Sequence, residues 1–338
     1  METGLVLSTR IGRTARVAQK IEELGFSTLL LTDSQNLVPE VFTQLVVAAQ
    51  ATTRLRLGTG VTNPVTRDSA VLASAALSVQ AESRGRMVLG IGRGDSAVQR
   101  IGKDLHPLPD FRRYVDEVQG YLRGGVVRRG SFDSQLEWHR FVDQPKVPLQ
   151  IAATGPKVIE LAARHADAVM LAVGADVEHV GSALARARAA AEAAGRAPGS
   201  VRFGAFVNVA VNPDVDVARS AVRGAAASFA RFSSFPGSPV EQLPAPLRSA
   251  VAFLREHYDM KDHTRASSPH ARAMEDAFVD WFALAGPSER VLPRFEALAA
   301  LKLDFIYMVS VSGDTPRDVA RTSLALLARD VLPMLAAR

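Results

Sequence analysis

The ten residues Met87-Val88-Leu89-Gly90-Ile91-Gly92-Arg93-Gly94-Asp95-Ser96 change character halfway along. The first five are apolar apart from one glycine and read as a buried strand, and the next five are glycine and polar residues that read as the loop leaving it. Outward from this stretch the same signature recurs. Short apolar runs stand at 4–8, 27–32, 55–61, 149–153, 168–171, 202–211 and 303–309, making eight with 87–91. Several are almost continuously apolar, as in Thr28-Leu29-Leu30-Leu31 and Phe305-Ile306-Tyr307-Met308-Val309, which suits strands covered on both faces of a parallel sheet.

Longer amphipathic stretches separate the runs, at 13–24, 39–51, 69–84, 111–122, 156–165, 177–194, 215–232, 271–285, 288–300 and 316–336. Gly25 caps the first, and Pro39 and Pro156 stand where helices start. Eight strands each followed by helix is the count of an α/β protein of the (β/α)8 TIM-barrel class. The 338 residues are therefore expected to form one domain, 1–338. A doubly wound sheet with a second domain would want a Pro/Gly-rich linker near the middle. The richest such stretch, with Pro236, Pro239, Pro244 and Pro246, instead lies between the seventh and eighth runs. Residues 233–270 are expected to be an insertion before the last strand, a loop or lid over the catalytic face.

Composition excludes several classes of function. At 47% hydrophobic and 22% charged, the chain is neither disordered nor fibrous. No apolar run is long enough for a membrane span, and the start Met-Glu-Thr-Gly-Leu-Val-Leu-Ser lacks the features of a signal peptide, so a cytoplasmic protein is expected. Cysteine is absent, which removes disulfides, thiolate metal sites and cysteine nucleophiles. The seven histidines stand apart without ligand spacing, and no metal site is expected. A net charge of +5 invites a nucleic-acid reading, but the basic residues are dispersed among Asp and Glu, and aromatics are only 6%. The expected partner is a small molecule, with neither nucleic acid nor membrane.

In a parallel barrel the strand C-termini share one face, so the polar residues just after each run are the candidates for chemistry. Gly90, Gly92 and Gly94 alternate where the fourth run ends, and either let backbone approach a ligand closely or serve a tight turn. The spacing matches neither the dinucleotide fingerprint nor the P-loop. Thr154-Gly155-Pro156-Lys157 opens a helix and suits a phosphate through exposed N–H groups, with an ordinary capped turn as the alternative. Asp33, Asp95 and, within the insertion, His263 are the candidates for proton transfer, against structural roles as caps or ion-pair partners.

Three segments together resemble the bacterial luciferase-like superfamily of flavin- and deazaflavin-dependent oxidoreductases, nearest to its methylenetetrahydromethanopterin reductase branch. They are Leu57-Gly58-Thr59-Gly60-Val61-Thr62-Asn63-Pro64 with Thr66-Arg67, then Leu89 to Ser96, then Ala152-Ala153-Thr154-Gly155-Pro156-Lys157 leading to Ala166-Asp167-Ala168. The resemblance implies a barrel that holds an isoalloxazine-type ring at its C-terminal mouth. It implies a bulge with a non-prolyl cis peptide at Gly60–Val61 within the ring-binding segment Thr59, Gly60, Val61, Thr62 and Asn63. It further implies that Gly92, Arg93, Gly94 and Asp95 line the ring, that Asp33 anchors it, and that Thr154, Gly155, Pro156, Lys157 and Gly174 receive a phosphate. The implied chemistry is hydride transfer with coenzyme F-420, placed ahead of the alternative, a monooxygenase using reduced FMN; a non-catalytic flavin-binding protein is a third reading. A homodimer is implied as well. One departure stands out: sugar-phosphate dehydrogenases of this superfamily carry Asp-His after the second strand, whereas here Ser34 follows Asp33.

Overall fold

The computed structural model describes residues 1–234 and 240–337. Eight parallel strands close into a (β/α)8 barrel: β1 Glu2–Leu7, β2 Thr28–Leu31, β3 Arg56–Thr59, β4 Met87–Ile91, β5 Leu149–Ala153, β6 Ala168–Leu171, β7 Arg202–Val211 and β8 Phe305–Val309. Each pairs with its neighbour in chain order, and β8 pairs back onto β1 through Glu2↔Phe305 to Val6↔Val309. All eight runs read from the sequence are strands. The third stops at Thr59, two residues short of the expected 61, and the chain rejoins β4 only through a single bridge from Thr62 to Ile91.

Strand alternation sorts the side chains into two populations. Leu29, Leu57, Leu89, Ile151, Val169, Ala205, Val207 and Val209 point outward into the core shared with the helices. Val6, Leu30, Val88, Met170, Phe206, Phe305 and Tyr307 fill the barrel lumen. Because both faces are covered, alternation between apolar and polar is missing from the sequence, and near-continuous apolar runs take its place.

The stretch between β7 and β8 is longer and more broken than a single helix. After the helix Val215–Ala230 the chain passes through a 3-10 turn at Arg231–Ser234, then the helices Ala245–His257, Pro269–Arg272 and Asp276–Phe282. The expected helix at 271–285 is replaced by the last two of these and a short strand, Leu284–Gly286, which pairs in parallel with the end of β7. Ala218, Ala221, Val222, Leu247, Val251, Leu254, Phe278 and Phe282 form a second core under this insertion. Pro236 and Pro239 of the expected insertion lie outside the described residues. A hairpin, Val127–Arg129 with Phe132–Ser134, gave no signal because its strands are three residues each and mostly exposed. No helix among the described residues is long and apolar enough to cross a membrane.

The N-terminal end of the lumen is closed by charge. Glu2 accepts from Arg56 and Arg202 at 2.8 Å each and from the Thr28 hydroxyl at 2.5 Å, and the Tyr307 hydroxyl lies 3.4 Å away. Burial works to raise the Glu2 carboxyl, but Arg56, Thr28 and Arg202 outweigh it and hold the pKa below its ordinary value. Its stabilisation is therefore present above the ordinary carboxylate pKa and is lost as pH falls through the lowered one. Glu2→Gln strands two guanidiniums and should cost roughly 2–4 kcal/mol, read as a lowered midpoint in urea unfolding at neutral pH; an unchanged midpoint would show the network to be neutral.

Candidate active site at the barrel mouth

The distinctive geometry of the mouth starts where β3 meets β4. A Cβ at Gly90 would stand 2.2 Å from the Thr59 carbonyl oxygen, and one at Gly58 would stand 2.3 Å from that of Val88, so these strands approach as only glycine allows. The Thr59 hydroxyl donates to the Gly90 carbonyl at 2.6 Å, Thr62 N–H donates to the same carbonyl at 3.0 Å, and Gly92 N–H donates to Thr62 O at 2.9 Å. Within this frame the Gly60–Val61 peptide bond is cis, where the sequence resemblance put it. A Cβ at Gly60 would meet Leu30 Cβ at 2.8 Å and Val6 Cγ1 at 3.1 Å, both lumen residues. The cis segment therefore forms part of the lumen wall.

Around the same level the wall is made of small residues. Gly60, Gly90 and Gly92 lack side chains, and Ala152 and Ala172 pack on the lumen side of β5 and β6. Thr154 donates to Ala172 O at 3.2 Å instead of capping the helix Pro156–His165, so no side chain caps that helix. Gly155 is its N-cap residue, with φ −82° and ψ 153°, and a Cβ there would meet nothing within 4 Å. Lys157 is exposed at its first turn. Gly174, at φ +93°, lies against the Phe282 ring of the insertion.

Several of the side chains expected to line a ring bond within the protein. The Asn63 Oδ1 atom accepts from the N–H groups of Val65 and Thr66, at 3.0 and 3.1 Å, and builds the turn after the bulge. Arg93 Nε donates to the His106 carbonyl at 2.8 Å, and His106 N–H returns a bond to Arg93 O at 3.1 Å. Asp33 is buried and paired with Arg67, whose guanidinium also donates to Thr62 Oγ1 at 3.1 Å and to Glu40 at 2.9 Å. Burial opposes the Arg67 charge, but Asp33 and Glu40 outweigh it and raise its pKa. Asp33 is thus an ion-pair partner that fixes the bulge through Arg67 and Thr62.

Asp95 stands differently. Its Oδ1 pairs with Arg231 from the 3-10 turn, while its Oδ2 is buried with no partner. Burial raises its pKa in spite of Arg231. Arg231 also donates to Gln99 at 2.7 Å and lies over the Tyr258 ring at 4.6 Å. The loops after β2 and β4 are joined here as well, by Ser34 Oγ to Ser96 Oγ at 3.2 Å and by Gln35 Nε2 to Ala97 O at 2.6 Å.

His263 joins the same cluster from the insertion. The Tyr258 hydroxyl is hydrogen-bonded to its Nδ1 at 2.5 Å, and Tyr258 Oη lies 3.0 Å from Ser228 Oγ. Burial first, then the Arg231 and Arg100 guanidiniums and His270, push His263 down to about 3. The structure therefore brings Asp95 and His263 into one network through Arg231 and Tyr258, and sets Asp33 apart from it with Arg67. Arg67 belonged to a sequence segment already singled out. Arg231 and Tyr258 carried no signal, since each lies in a stretch whose contact with the β4 loop exists only in three dimensions. A separate cleft of about 300 Å³ lies beside the turn after Asn63, lined by Thr66, Arg67, His106, Tyr114 and Arg129.

Comparison with known proteins adds to this geometry. A family model described as luciferase-like monooxygenase matches residues 2–304. A 5,10-methylenetetrahydromethanopterin reductase from Archaeoglobus fulgidus is 27% identical over 325 residues, covering 93% of each chain. The corresponding reductase from Methanolobus tindarius is 31% identical over 221 residues, 64% of this chain and 67% of that one. Among solved structures, a coenzyme F-420-dependent tetrahydromethanopterin reductase from Methanopyrus kandleri superposes with a TM-score of 0.75 at 19% identity, covering 99% of both chains; that likeness speaks to the fold.

The electrostatics of the cluster set its pH response. Neutral His263 in the fold and an ordinary histidine in the unfolded chain mean that its contribution is full above about pH 6.5 and falls as pH drops below that. Limited proteolysis of the insertion is expected to run faster at about pH 5.5 than at about pH 7.5, and His263→Gln should remove most of that difference. An equal pH response in both proteins would assign it to other groups.

Proposed function

The chain belongs to the luciferase-like family, and from that membership we propose that it is an oxidoreductase which binds coenzyme F-420 at the barrel mouth and serves hydride transfer to or from a small organic substrate. The observations that carry this reading are a lumen wall of Gly60, Gly90, Gly92, Ala152 and Ala172 and, on the loop after β4, a buried carboxyl oxygen, Asp95 Oδ2, that has no partner. A flat polar heterocycle would suit both features: small residues put no long side chain of their own into the mouth, and an orphaned buried oxygen calls for a polar atom to meet it.

The Gly60–Val61 backbone and Gly92 would bear the ring. The uncapped N-terminus at Gly155–Lys157, with the Lys157 ammonium, would receive the phosphate of the tail. When bound, the deazaflavin supplies the redox chemistry by accepting or giving a hydride at its ring. The protein's own residues orient and insulate. Asp33 and Arg67 hold the bulge in place through Thr62, and Arg231 fixes the Asp95 carboxyl by one oxygen and leaves the other without a partner. Asp95, whose pKa burial raises and whose Oδ2 has no partner, would be the group to exchange a proton with the substrate. The insertion, with Arg231, Tyr258 and His263, excludes water from above the ring.

Titration with F-420 and with FMN, followed by fluorescence, tests the cofactor: saturable binding of F-420 is expected. Tight binding of FMN with none of F-420 would replace this reading with a flavin monooxygenase. Gly155→Val separates site from scaffold. Gly155 has an extended backbone and open space around its Cβ position. Thermal stability without cofactor should therefore change by no more than about 0.5 kcal/mol, while the Kd for F-420 should rise at least about tenfold. An equal loss of stability without cofactor would show the turn to be structural.

A further inference from the structure

One lumen residue is at odds with the protein around it. β7 runs Arg202-Phe203-Gly204-Ala205-Phe206-Val207-Asn208-Val209-Ala210-Val211, and Asn208 is the lone polar residue in its apolar second half. Ala205, Val207 and Val209 face the outer core and Phe206 faces the lumen, so alternation turns Asn208 to the lumen too, one step nearer the mouth than Phe206. It is 0% exposed, and neither its Oδ1 nor its Nδ2 has a partner. Burying an amide unpaired costs stability, and buried amides are almost always satisfied. Its level is fixed by contacts. Asn208 registers with Val309, Val309 with Val6, and Val6 lies 3.1 Å from where a Gly60 Cβ would be. With eight strands in sequence order, β7 stands across the barrel from β3 and its cis peptide.

The geometry points to Asn208 as the residue that pairs with the pyrimidinedione edge of the bound ring. A carboxamide offers one donor and one acceptor side by side, and that edge offers a C=O beside an N–H, so a single side chain satisfies two ring atoms and is itself satisfied. Asn208 is then a positioning residue, setting how far the ring enters the lumen from the β3 side. This rests on the proposed cofactor reading. Flavins and deazaflavins share the edge, and the test separates them.

The experiment compares the unchanged protein with Asn208→Leu and Asn208→Asp in titrations with F-420 and with FMN, alongside thermal unfolding without cofactor. In Asn208→Leu, F-420 affinity is expected to fall at least tenfold and the absorption shift of the bound ring to be lost, while stability without cofactor is unchanged or raised because an unpaired buried amide has gone. Asn208→Asp keeps the acceptor, loses the donor and is expected to weaken binding likewise. Unaltered F-420 affinity in Asn208→Leu overturns the inference. So does a large loss of stability without cofactor, since it would mean that the amide serves the protein's own packing. A fall confined to FMN assigns the contact to a flavin and overturns the deazaflavin assignment. If the unchanged protein binds neither cofactor, the proposed function fails first, whatever the variants do.

Discussion

The approach of β4 to the bulged end of β3, with the Thr59 carbonyl 2.2 Å from where a Gly90 side chain would begin, is the constraint on which the rest of the mouth depends. Any side chain at position 90 would force the strands apart. That would break the bonds from Thr59 and Thr62 to the Gly90 carbonyl, and with them the frame around the cis Gly60–Val61 peptide. Glycine at 60 and 92 lets Leu30, Val6 and Val61 pack within 2.8 to 3.1 Å of where a Cβ would stand, and Ala152 and Ala172 continue the small-residue wall across β5 and β6.

The two ends of the barrel use charge in opposite ways. At the N-terminal end, Glu2 meets two guanidiniums and a hydroxyl, a network that closes the lumen. At the C-terminal end, Asp95 has one oxygen paired and the other orphaned, and Asn208 has no partner at all. A satisfied network stabilises, whereas an incomplete one costs stability unless something else completes it. This is the physical difference between the closed end and the end where the cofactor site is proposed. The second core under the insertion serves the same end, since it carries Arg231 and Tyr258 to the β4 loop.

Much of the barrel was legible in the sequence because strands covered on both faces leave near-continuous apolar runs, and glycines and polar residues after them mark the functional end. Legibility failed where an element's identity rests on distant contacts. The segment 271–285 has helical periodicity, yet pairing of Leu284–Gly286 with β7 breaks it into two short helices and a strand. At the site, Asp33 and Asp95 looked equivalent in the sequence, each an Asp after a strand. The structure separates them by partner: Arg67 lies 34 residues from Asp33 and Arg231 lies 136 from Asp95, and no local pattern encodes either pair. Asn208 did leave a trace, a polar residue at a lumen-facing position of a buried strand, and alternation from Phe206 would have been enough to find it.

A ring site formed by the small-residue wall and the two incomplete polar groups would be visible in a crystal structure of the protein with F-420. The ring is expected against the Gly60–Val61 peptide, with Asp95 Oδ2 and the Asn208 amide within hydrogen-bonding distance of polar atoms of the ring or of substrate beside it. A ring lodged elsewhere, for example in the cleft beside Tyr114 and Arg129, with Asp95 and Asn208 still unpartnered, would contradict this expectation.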